Sequence, residues 1–369
     1  MIAWISSVRK FIAAESVVPD PKPTLRLLVR ADASSRLGSG HVLRSLALTE
    51  ELRCRGGEAI FVCRDAPGHL ADWIRDRGYP VRLIEALDCP EADAQATRQA
   101  AAADGPFDWL WVDHYHLDAR WERAARGLAR RTAAIDDMAD RPHDVDLFVD
   151  YTHPASEAAL YDPLLPAGTR RLIGHDYVFL RREFTDRPVP ERDYSSVKRL
   201  LVMQGGSDPP GMTDRVLDAL DAPEFADLRV DVAVGLSNLR LTALRRRLGD
   251  CPNRQLHVQH LRPSDLMRQA DLCIGAGGMT SWERCYLGLP TLAIVIVENQ
   301  MHITNMLAAY GALQNLGRSE NLSIVALREH LRWAIADDIW RRRSGTLGQH
   351  LIDGHGVCRV IDALENPTL

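Results

Sequence analysis

The chain has 369 residues, of which 46% are hydrophobic and 26% charged, so it can form two globular domains without disulfide or metal support. Its net charge of −5 argues against electrostatic binding of nucleic acid, because no excess of lysine and arginine exists to neutralise phosphates. No run approaches the roughly 18 apolar residues of a membrane span. The seven cysteines contain no C-x-x-C pair, which predicts a reduced, cytoplasmic protein.

Residues 1–24 are interpreted as an amino-terminal extension. Arg9 and Lys10 lie within its apolar stretch, whereas a signal peptide carries its charges before that stretch. Prolines follow, and the regular patterning of the chain begins only after them. We predict that this extension is a short amphipathic appendage, or that the chain has been started earlier than the folded protein needs. Contact with a membrane surface or a partner is the alternative.

From Leu25 onward, short β-rich runs alternate with helical stretches. In the first half, strands are predicted at 25–29, 59–63, 81–84, 107–112, 132–135 and 146–149, with helices at 41–55, 70–77 and 92–103. Residues 184–197 are rich in charge and proline, and we predict that they link two domains. In the second half, strands are predicted at 198–203, 229–234, 255–258, 272–274 and 291–297, and helices close the chain.

Strands that alternate with helices give parallel sheets with both faces covered. We therefore predict an α/β fold of two doubly wound Rossmann-like domains that face each other across a cleft. The first domain is 25–183, and the second is 198–369 with its closing helices. Ligands of such sheets bind beyond the carboxyl ends of the strands, so the loops at those ends are the candidate site.

The loop after the first strand passes through glycines into a helix. It contains Asp32, Gly38 and Gly40 and leads to His41. Glycines let a backbone approach a ligand closely, and the first N–H groups of a helix can bind an anion. The positive end of the helix dipole disfavours a charged imidazole, so His41 is predicted to be a neutral general base. A histidine that only caps or packs is the alternative.

Two glycine loops of the second half resemble phosphate cradles. The first follows the strand at 198–203 and contains Gly205, Gly206 and Ser207. It lacks the lysine of a P-loop, so a tight structural turn explains it equally well. The second is the stretch 275–283, which contains Gly277, Gly278, Thr280 and Glu283.

Other polar residues also follow predicted strands. A carboxylate at Glu283 can accept both ribose hydroxyls, although a surface glutamate is the alternative. Asn299 and Gln300 carry amides that suit sugar hydroxyls and acetamido groups, and Tyr115 follows the strand at 107–112. Two histidine pairs have the spacing of metal ligands, but neither has a clustered third ligand, so we predict no metal. These pairs are His114 with His116 and His257 with His260.

Together these segments resemble a known family. The matches are R-A-D-A-S…G-x-G-H at 30–41, D-H-Y-x-L-D-x-x-W-E at 113–122, I-D-D-x-A-D-R-x-H-D-x-D at 135–146, G-G-S-D at 205–208 and G-A-G-G-x-T-x-W-E-R-C-x-L-G-L-P at 275–290. They resemble the UDP-2,4-diacetamido-2,4,6-trideoxy-β-L-altropyranose hydrolases of pseudaminic acid biosynthesis. That family is similar in fold to the peptidoglycan N-acetylglucosaminyltransferase, which has the GT-B arrangement. The resemblance spans roughly residues 25–317.

The resemblance implies inverting hydrolysis without a metal or other cofactor, in which water attacks the anomeric carbon and UDP leaves. It implies that His41 is the base, that Tyr115 and Asn299 lie near the sugar, and that Glu283 binds the ribose. The two glycine loops would hold the diphosphate. The predicted substrate contacts are Asp32, Gly38, Gly40, Tyr115, Asn299 and Gln300, and the predicted UDP contacts are Gly205, Gly206, Ser207, Gly277, Gly278, Thr280 and Glu283.

The sequence departs from the family pattern in places. Tyr151 and Thr152 stand where the family often has Gln-Asn, and Pro210 and Gly211 follow the G-G-S-D loop where a more polar residue is common. A GT-B glycosyltransferase, a UDP-sugar 2-epimerase and a non-catalytic nucleotide-sugar-binding subunit stay open as alternatives. We predict a cytoplasmic monomer that acts on a UDP-sugar and has no nucleic-acid partner.

Overall fold

Two parallel sheets, one in each half of the chain, organise the computed structural model. It describes residues 24–34, 37–85, 89–249, 251–260 and 262–367, so the predicted extension lies outside the description apart from Thr24. The first sheet, in the order β3-β2-β1-β4-β5-β6-β7, comprises β1 (Arg26–Ala31), β2 (Glu58–Arg64), β3 (Val81–Ile84), β4 (Phe107–Asp113), β5 (Ala129–Ile135), β6 (Leu147–Asp150) and β7 (Arg170–Ile173). The second, in the order β10-β9-β8-β11-β12-β13, comprises β8 (Arg199–Met203), β9 (Arg229–Val234), β10 (Arg254–Val258), β11 (Leu272–Ala276), β12 (Thr291–Val295) and β13 (Gln314–Arg318).

Helices connect these strands. Those of the first half are α1 (Gly40–Cys54), α2 (Ala71–Arg75), α3 (Pro90–Ala101), α4 (Ala119–Ala124) and α5 (Arg182–Thr185). Those of the second half are α6 (Met212–Leu220), α7 (Leu241–Gly249), α8 (Pro263–Gln269), α9 (Thr280–Tyr286), α10 (Met301–Ala309), α11 (Ile324–Ala336), α12 (Asp338–Leu351) and α13 (Gly356–Glu365). Within the described ranges, none is long and apolar enough to cross a membrane.

The central strands are apolar because both of their faces are covered. Leu27, Leu28 and Val29 of β1 have no exposed surface, and neither do Leu200 and Leu201 of β8. Each such side chain stabilises the fold by about 1.5–3 kcal/mol through its removal from water. This burial confirms the predicted pair of doubly wound α/β sheets.

The strand order of each sheet reverses at one point. In the first sheet, β1 has β2 on one side and β4 on the other; in the second, β8 lies between β9 and β11. The loops that leave the two neighbouring strands then diverge, and they open a crevice at the carboxyl edge of the sheet. Most of the predicted site loops follow β1, β4, β8 and β11, which are the strands at these two crevices, and Asn299 and Gln300 follow β12.

The described structure contains two edge strands that the sequence analysis did not predict. β7 begins with Arg170 and Arg171, and β13 has the sequence QNLGR. Polar edge strands are common, since charges and glycine protect an unpaired edge against association with another chain. Such strands lack the continuous apolar run by which the buried strands were recognised.

The chain crosses between the two halves at two neighbouring places. In the predicted linker, Phe184 is fully buried and Tyr194 donates to the carbonyl of Gly288 over 3.0 Å. Arg341 of α12 donates to the carbonyl of Tyr194 over 2.8 Å. Beyond α12, the last helix α13 packs against α1 of the first half, although the sequence analysis grouped it with the second domain.

Several direct contacts hold α13 on the first domain, and two of them illustrate the packing. Trp109 Nε1 donates to the carbonyl of Leu364 over 3.0 Å, and Arg55 lies 2.5 Å from Asp362. The first contact is buried and the second is exposed. The final helix therefore completes the packing of the amino-terminal sheet.

One buried histidine makes the stability of the first domain depend on pH. His143 Nδ1 lies 2.6 Å from Glu122, and its Nε2 lies 3.6 Å from Asp136. Burial would lower the pKa of His143, but the two carboxylates outweigh burial and raise the pKa to about 9. The unfolded value is about 6.5, so this stabilisation is complete below pH ~6.5 and is lost as pH rises through ~9.

We expect His143→Asn to abolish this part of the pH dependence. Between pH 6 and 10 the unfolding free energy of the wild type should fall by about 3 kcal/mol more than that of the variant. Urea denaturation at several pH values measures the difference. His350→Asn, at an exposed position of α12, should retain the wild-type slope. Equal slopes for wild type and His143→Asn would contradict the assignment.

Candidate active site between the two sheets

A cavity of about 360 Å³ lies between the carboxyl edges of the two sheets. This volume falls in the range of small-molecule sites. From the first half it is lined by Leu37, Ser39, Gly40, His41, Leu43, Arg44, Tyr115, Asp137 and Thr152. From the second half it is lined by Gly205, Gly206, Ala276, Gly277, Gly278, Met279, Thr280, Val297, Asn299, Gln300, His302 and Ile303. Ten of the predicted site residues are therefore brought together here.

His41 is the second residue of α1 and forms part of the cavity wall. Its Nδ1 lies 2.5 Å from Oδ1 of Asp113, the last residue of β4. A carboxylate can only accept, so Nδ1 carries the proton and Nε2 carries the lone pair. The pair arises because β1 and β4 are neighbours, which places the start of α1 beside the end of β4. The imidazole is thereby held in one orientation, and its Nε2 is available to accept a proton.

Asp113 is fully buried and is held by several donors. Arg44 contributes two hydrogen bonds, of 2.8 Å from Nε and 2.7 Å from Nη2, and Ser45 Oγ donates over 3.1 Å. Burial would raise the pKa of Asp113, but Arg44 and His41 outweigh burial and lower the pKa to about 2. Asp113 therefore stays ionised over the physiological pH range and can stabilise a proton on His41.

Arg44 also connects this pair to a second carboxyl group. Its Nη1 lies 3.1 Å from Oδ2 of Asp137, which lines the cavity. The other oxygen, Oδ1, is buried and has no hydrogen-bond partner among the described residues. Burial raises the pKa of Asp137. Asp137 therefore offers a polar atom to the cavity that a ligand hydroxyl or amide can satisfy.

Tyr115 and Asn299 meet across the cavity. The Tyr115 ring stands edge-on to the His41 imidazole, with 4.3 Å between ring centroids, and its hydroxyl hydrogen-bonds the side chain of Asn299. Burial raises the pKa of Tyr115, so the hydroxyl keeps its proton and can donate. Because the two residues follow strands of different sheets, this contact joins the halves beside His41.

The second wall is formed by backbone without side chains. A Cβ on Gly277 would lie 2.2 Å from Thr304 Oγ1, and Gly278 has a φ of +90°. Both positions therefore require glycine. Gln300 Oε1 accepts from the N–H of Ile296 over 2.9 Å, so its amide nitrogen is the part left for a ligand.

The helix after the G-G-S-D loop is not open to an anion. The carboxylate of Asp208 accepts from the N–H groups of Met212 and Thr213 over 2.9 and 2.7 Å, and so occupies the first donors of α6. In contrast, Ser39 at the start of α1 makes no side-chain cap, and this start faces the cavity. Gly205 and Gly206 can thus contribute backbone to the site, while α6 contributes no free terminus.

Four predicted site residues do not line this cavity. Asp32 is buried and paired with Arg30 over 2.5 Å and with His114 Nε2 over 3.1 Å, which is a role inside the fold. Gly38 lies in a turn with a φ of +81°, and Ser207 is exposed. Glu283 also lies outside the cavity lining, and its Oε2 has no hydrogen-bond partner among the described residues.

Glu283 lies in the first turn of α9, behind the glycine wall. Its Oε1 lies 2.8 Å from Arg181 Nη2, while its Oε2 is buried without a hydrogen-bond partner among the described residues. Burial raises the pKa of Glu283. An unsatisfied buried oxygen is costly, so a ligand hydroxyl that reached it would be bound favourably.

Several cavity residues were absent from the predicted set. Arg44 lies three residues after His41 on the same helix, a spacing that puts both on one face. Asp113 lay in a loop recognised as part of the cleft, and its pairing with His41 could have been inferred from adjacent strands. Asp137 also followed a predicted strand at the cleft, whereas the positions of Thr152 and His302 follow only from the three-dimensional arrangement. No signal in the sequence pairs Thr152 with His302.

The two histidine pairs considered from the sequence have other partners. His114 pairs with Asp32, as described, and His116 donates its backbone N–H to the His114 ring over 3.0 Å. His257 Nε2 lies 2.7 Å from Asp231. Both ring nitrogens of His114 are therefore engaged.

Curated proteins of similar sequence include the following two, while no family model matches. The chain is 31% identical over 202 residues to the spore coat polysaccharide biosynthesis protein SpsG of Bacillus subtilis. The aligned region covers 54% of the chain and 59% of SpsG. It is 24% identical over 289 residues to the UDP-2,4-diacetamido-2,4,6-trideoxy-beta-L-altropyranose hydrolase of Campylobacter jejuni. This aligned region covers 78% of the chain and 97% of the hydrolase. The match thus spans less than two thirds of SpsG but nearly the whole hydrolase.

Solved structures show the same fold. MurG of Acinetobacter baumannii superposes with a TM-score of 0.61 at 15% identity, over 93% of the chain and 100% of MurG. A putative UDP-N-acetylglucosamine 2-epimerase from Listeria monocytogenes gives a TM-score of 0.61 at 12% identity, over 94% and 96%. The two parallel-sheet domains are therefore arranged as in GT-B glycosyltransferases, which confirms the predicted fold class.

We expect Asp113→Asn to destabilise the protein strongly. The change leaves the buried Arg44 with an ion pair to Asp137 but without its closer partner, and loss of one member of a buried pair costs about 3–5 kcal/mol. Urea denaturation at pH 7 measures the loss. Asp104→Asn makes the same chemical change in the exposed ion pair with Arg82, where the cost should stay below about 1 kcal/mol. Similar losses in both variants would refute the assigned role of Asp113.

Proposed function

We propose that the protein is a nucleotide-sugar-processing enzyme that hydrolyses UDP-2,4-diacetamido-2,4,6-trideoxy-β-L-altropyranose, or a closely related UDP-linked deoxy-amino sugar. The products are the free sugar and UDP, on the route to a nonulosonic acid of the pseudaminic type. The observation that carries the proposal is the His41–Asp113 pair, which stands in the wall of a cavity between two sheets in a GT-B arrangement. The similarity to the Campylobacter jejuni hydrolase supports the choice of substrate.

In this proposal His41 acts as the general base. Its Nε2 takes a proton from water while the water oxygen bonds to the anomeric carbon from the face opposite UDP. The bond between that carbon and the phosphate oxygen breaks, and the electron pair leaves with UDP, so the configuration inverts. Asp113 holds the imidazole in position and stabilises the imidazolium that forms, since its carboxylate stays ionised.

UDP can leave without a proton from the protein because a diphosphate is a stable anion. Its charge would be balanced by backbone donors of the stretch 277–280, where glycine allows close approach, and by the uncapped start of α1. Gly205 and Gly206 border the same space. The capped start of α6 makes the stretch 277–280 the main candidate for the diphosphate.

The sugar would occupy the cavity, and the nucleoside would extend beyond the cavity to the side of the glycine wall where Glu283 lies. We assign Glu283 to the ribose on account of its unpaired Oε2, which two ribose hydroxyls could satisfy. We assign Tyr115, Asn299, Asp137 and the free amide nitrogen of Gln300 to the hydroxyl and acetamido groups of the sugar. Tyr115 and Asp137 lie on the His41 side, where the anomeric carbon would be, and Gln300 lies on the glycine wall.

Purified protein alone should convert the altrose nucleotide to UDP and a reducing deoxy-amino sugar, and a chelator should leave the rate unchanged. Proton NMR of the reaction identifies the products. An epimerised nucleotide sugar would show a 2-epimerase instead. Turnover that requires an alcohol acceptor would show a transferase, and tight UDP binding without turnover would show a binding subunit. Each of these three results contradicts the proposal.

We expect His41→Ala to lower kcat by 10²–10⁴-fold, the range for loss of a general base. UDP affinity, measured by calorimetry, should change by less than a few fold because the nucleotide is bound by the other wall. His116→Ala removes an exposed histidine that does not line the cavity and should retain wild-type kcat. Wild-type turnover by His41→Ala would remove His41 from the mechanism.

A further inference from the structure

A second group of side chains lies at the edge of the cavity and has no part in the proposed hydrolysis. It consists of His153, Glu157 and His302, whose potential ligand atoms all lie within 4.8 Å of one another. The two imidazole rings are stacked obliquely, with 4.1 Å between centroids. Within the described residues this is the one group of three such side chains that close together.

The three side chains come from opposite sides of the cleft. His153 follows β6 of the first sheet, and Glu157 lies in the 3₁₀ turn Ala155–Tyr161. His302 is the second residue of α10, which follows β12 of the second sheet. Neither half of the chain alone contains the full set.

Each histidine has a partner at one ring nitrogen, as metal-binding histidines usually do. His153 Nδ1 lies 2.7 Å from the buried carboxylate of Asp150, which leaves the lone pair on Nε2. Asp150 is in turn fixed by Tyr161, whose hydroxyl donates over 2.7 Å. The His302 ring hydrogen-bonds the backbone of Thr152, so one of its nitrogens is positioned in the same way. A ligating histidine usually donates its other ring N–H to a carboxylate or a carbonyl.

We propose that His153, Glu157 and His302 bind a divalent transition-metal ion, for which Zn²⁺ is the best match, and that the ion fastens the two domains at the edge of the cleft. Two imidazoles and one carboxylate form a known zinc ligand set, with water in the fourth position. Zinc bonds of 2.0–2.1 Å place tetrahedral ligands about 3.3 Å apart. Because the ligand atoms lie within 4.8 Å of one another, they have to approach by at most about 1.5 Å, through rotation of the side chains.

The site is separate from the proposed chemistry. His41 and Asp113 carry the proton transfer, and neither belongs to the group. In this proposal the ion restrains opening of the cleft, and the hydrolysis by His41 does not require it. The negative charge of Glu157 also makes the group unsuited to a phosphate of the substrate, since the carboxylate would repel an anion.

Zinc titration of the full-length protein against a chromophoric chelator tests the proposal. The wild type should bind one more equivalent of Zn²⁺ than Glu157→Gln or His302→Ala, or bind it at least tenfold more tightly than either. Because these two residues belong to different halves, a site that bridges the cleft requires both. Their side chains are exposed, so both variants should fold.

Matched control variants change a glutamate and a histidine at other exposed positions. Glu329→Gln on α11 and His350→Ala on α12 are exposed and lie outside the group, and both should bind zinc as the wild type does. Equal zinc binding by all five proteins would overturn the proposal. Wild-type affinity in His302→Ala alone would also overturn it, since the site would then lie within one half.

Cobalt identifies the ligands. Cys54 and Cys89 are exposed free thiols and could bind metal on their own. Co²⁺ at the proposed site should give visible bands of tetrahedral nitrogen and oxygen coordination that vanish in Glu157→Gln. A near-ultraviolet charge-transfer band from thiolate that is equal in the variant would show cysteine binding and would contradict the proposal.

Discussion

The ionised carboxylate of Asp113 is the interaction on which the site depends. It is fully buried at the end of a central strand, where an isolated charge would be very unfavourable. Arg44, Ser45 and His41 supply four hydrogen bonds to it, and all three belong to α1. One buried charge therefore fixes the position of a helix and the orientation of its histidine. The geometry of the proposed site and the stability of the first domain therefore have the same origin.

The opposite wall of the cavity presents backbone groups in place of side chains. Gly277 and Gly278 leave backbone exposed to the cavity, and a Cβ at either position would meet Thr304 or Gln300. An oriented imidazole on one side and bare backbone on the other suit a substrate with a reactive carbon next to a diphosphate. The contact of Tyr115 with Asn299 shows that the two walls are close enough to act on one molecule.

Sequence patterns predicted the sheets and most cavity loops because burial on both faces demands apolar runs, and glycine loops after strands mark the crevices. They did not predict the edge strand β13, whose polar sequence gives no such run. Nor could they distinguish the two glycine loops, because the capping of α6 by Asp208 depends on a carboxylate turned back onto the helix. The role of Asp137 arises from burial, which depends on how distant segments pack.

The return of α13 to the first sheet has a mechanical consequence. The polypeptide passes between the domains along two adjacent paths, the linker and the segment after α12, which are tied together by Arg341 and Tyr194. A body held at two neighbouring points can swing about the line that joins them but resists twisting. The cleft should thus open and close by a hinge rotation about that line, and the glycine wall would move toward or away from His41 along a single path.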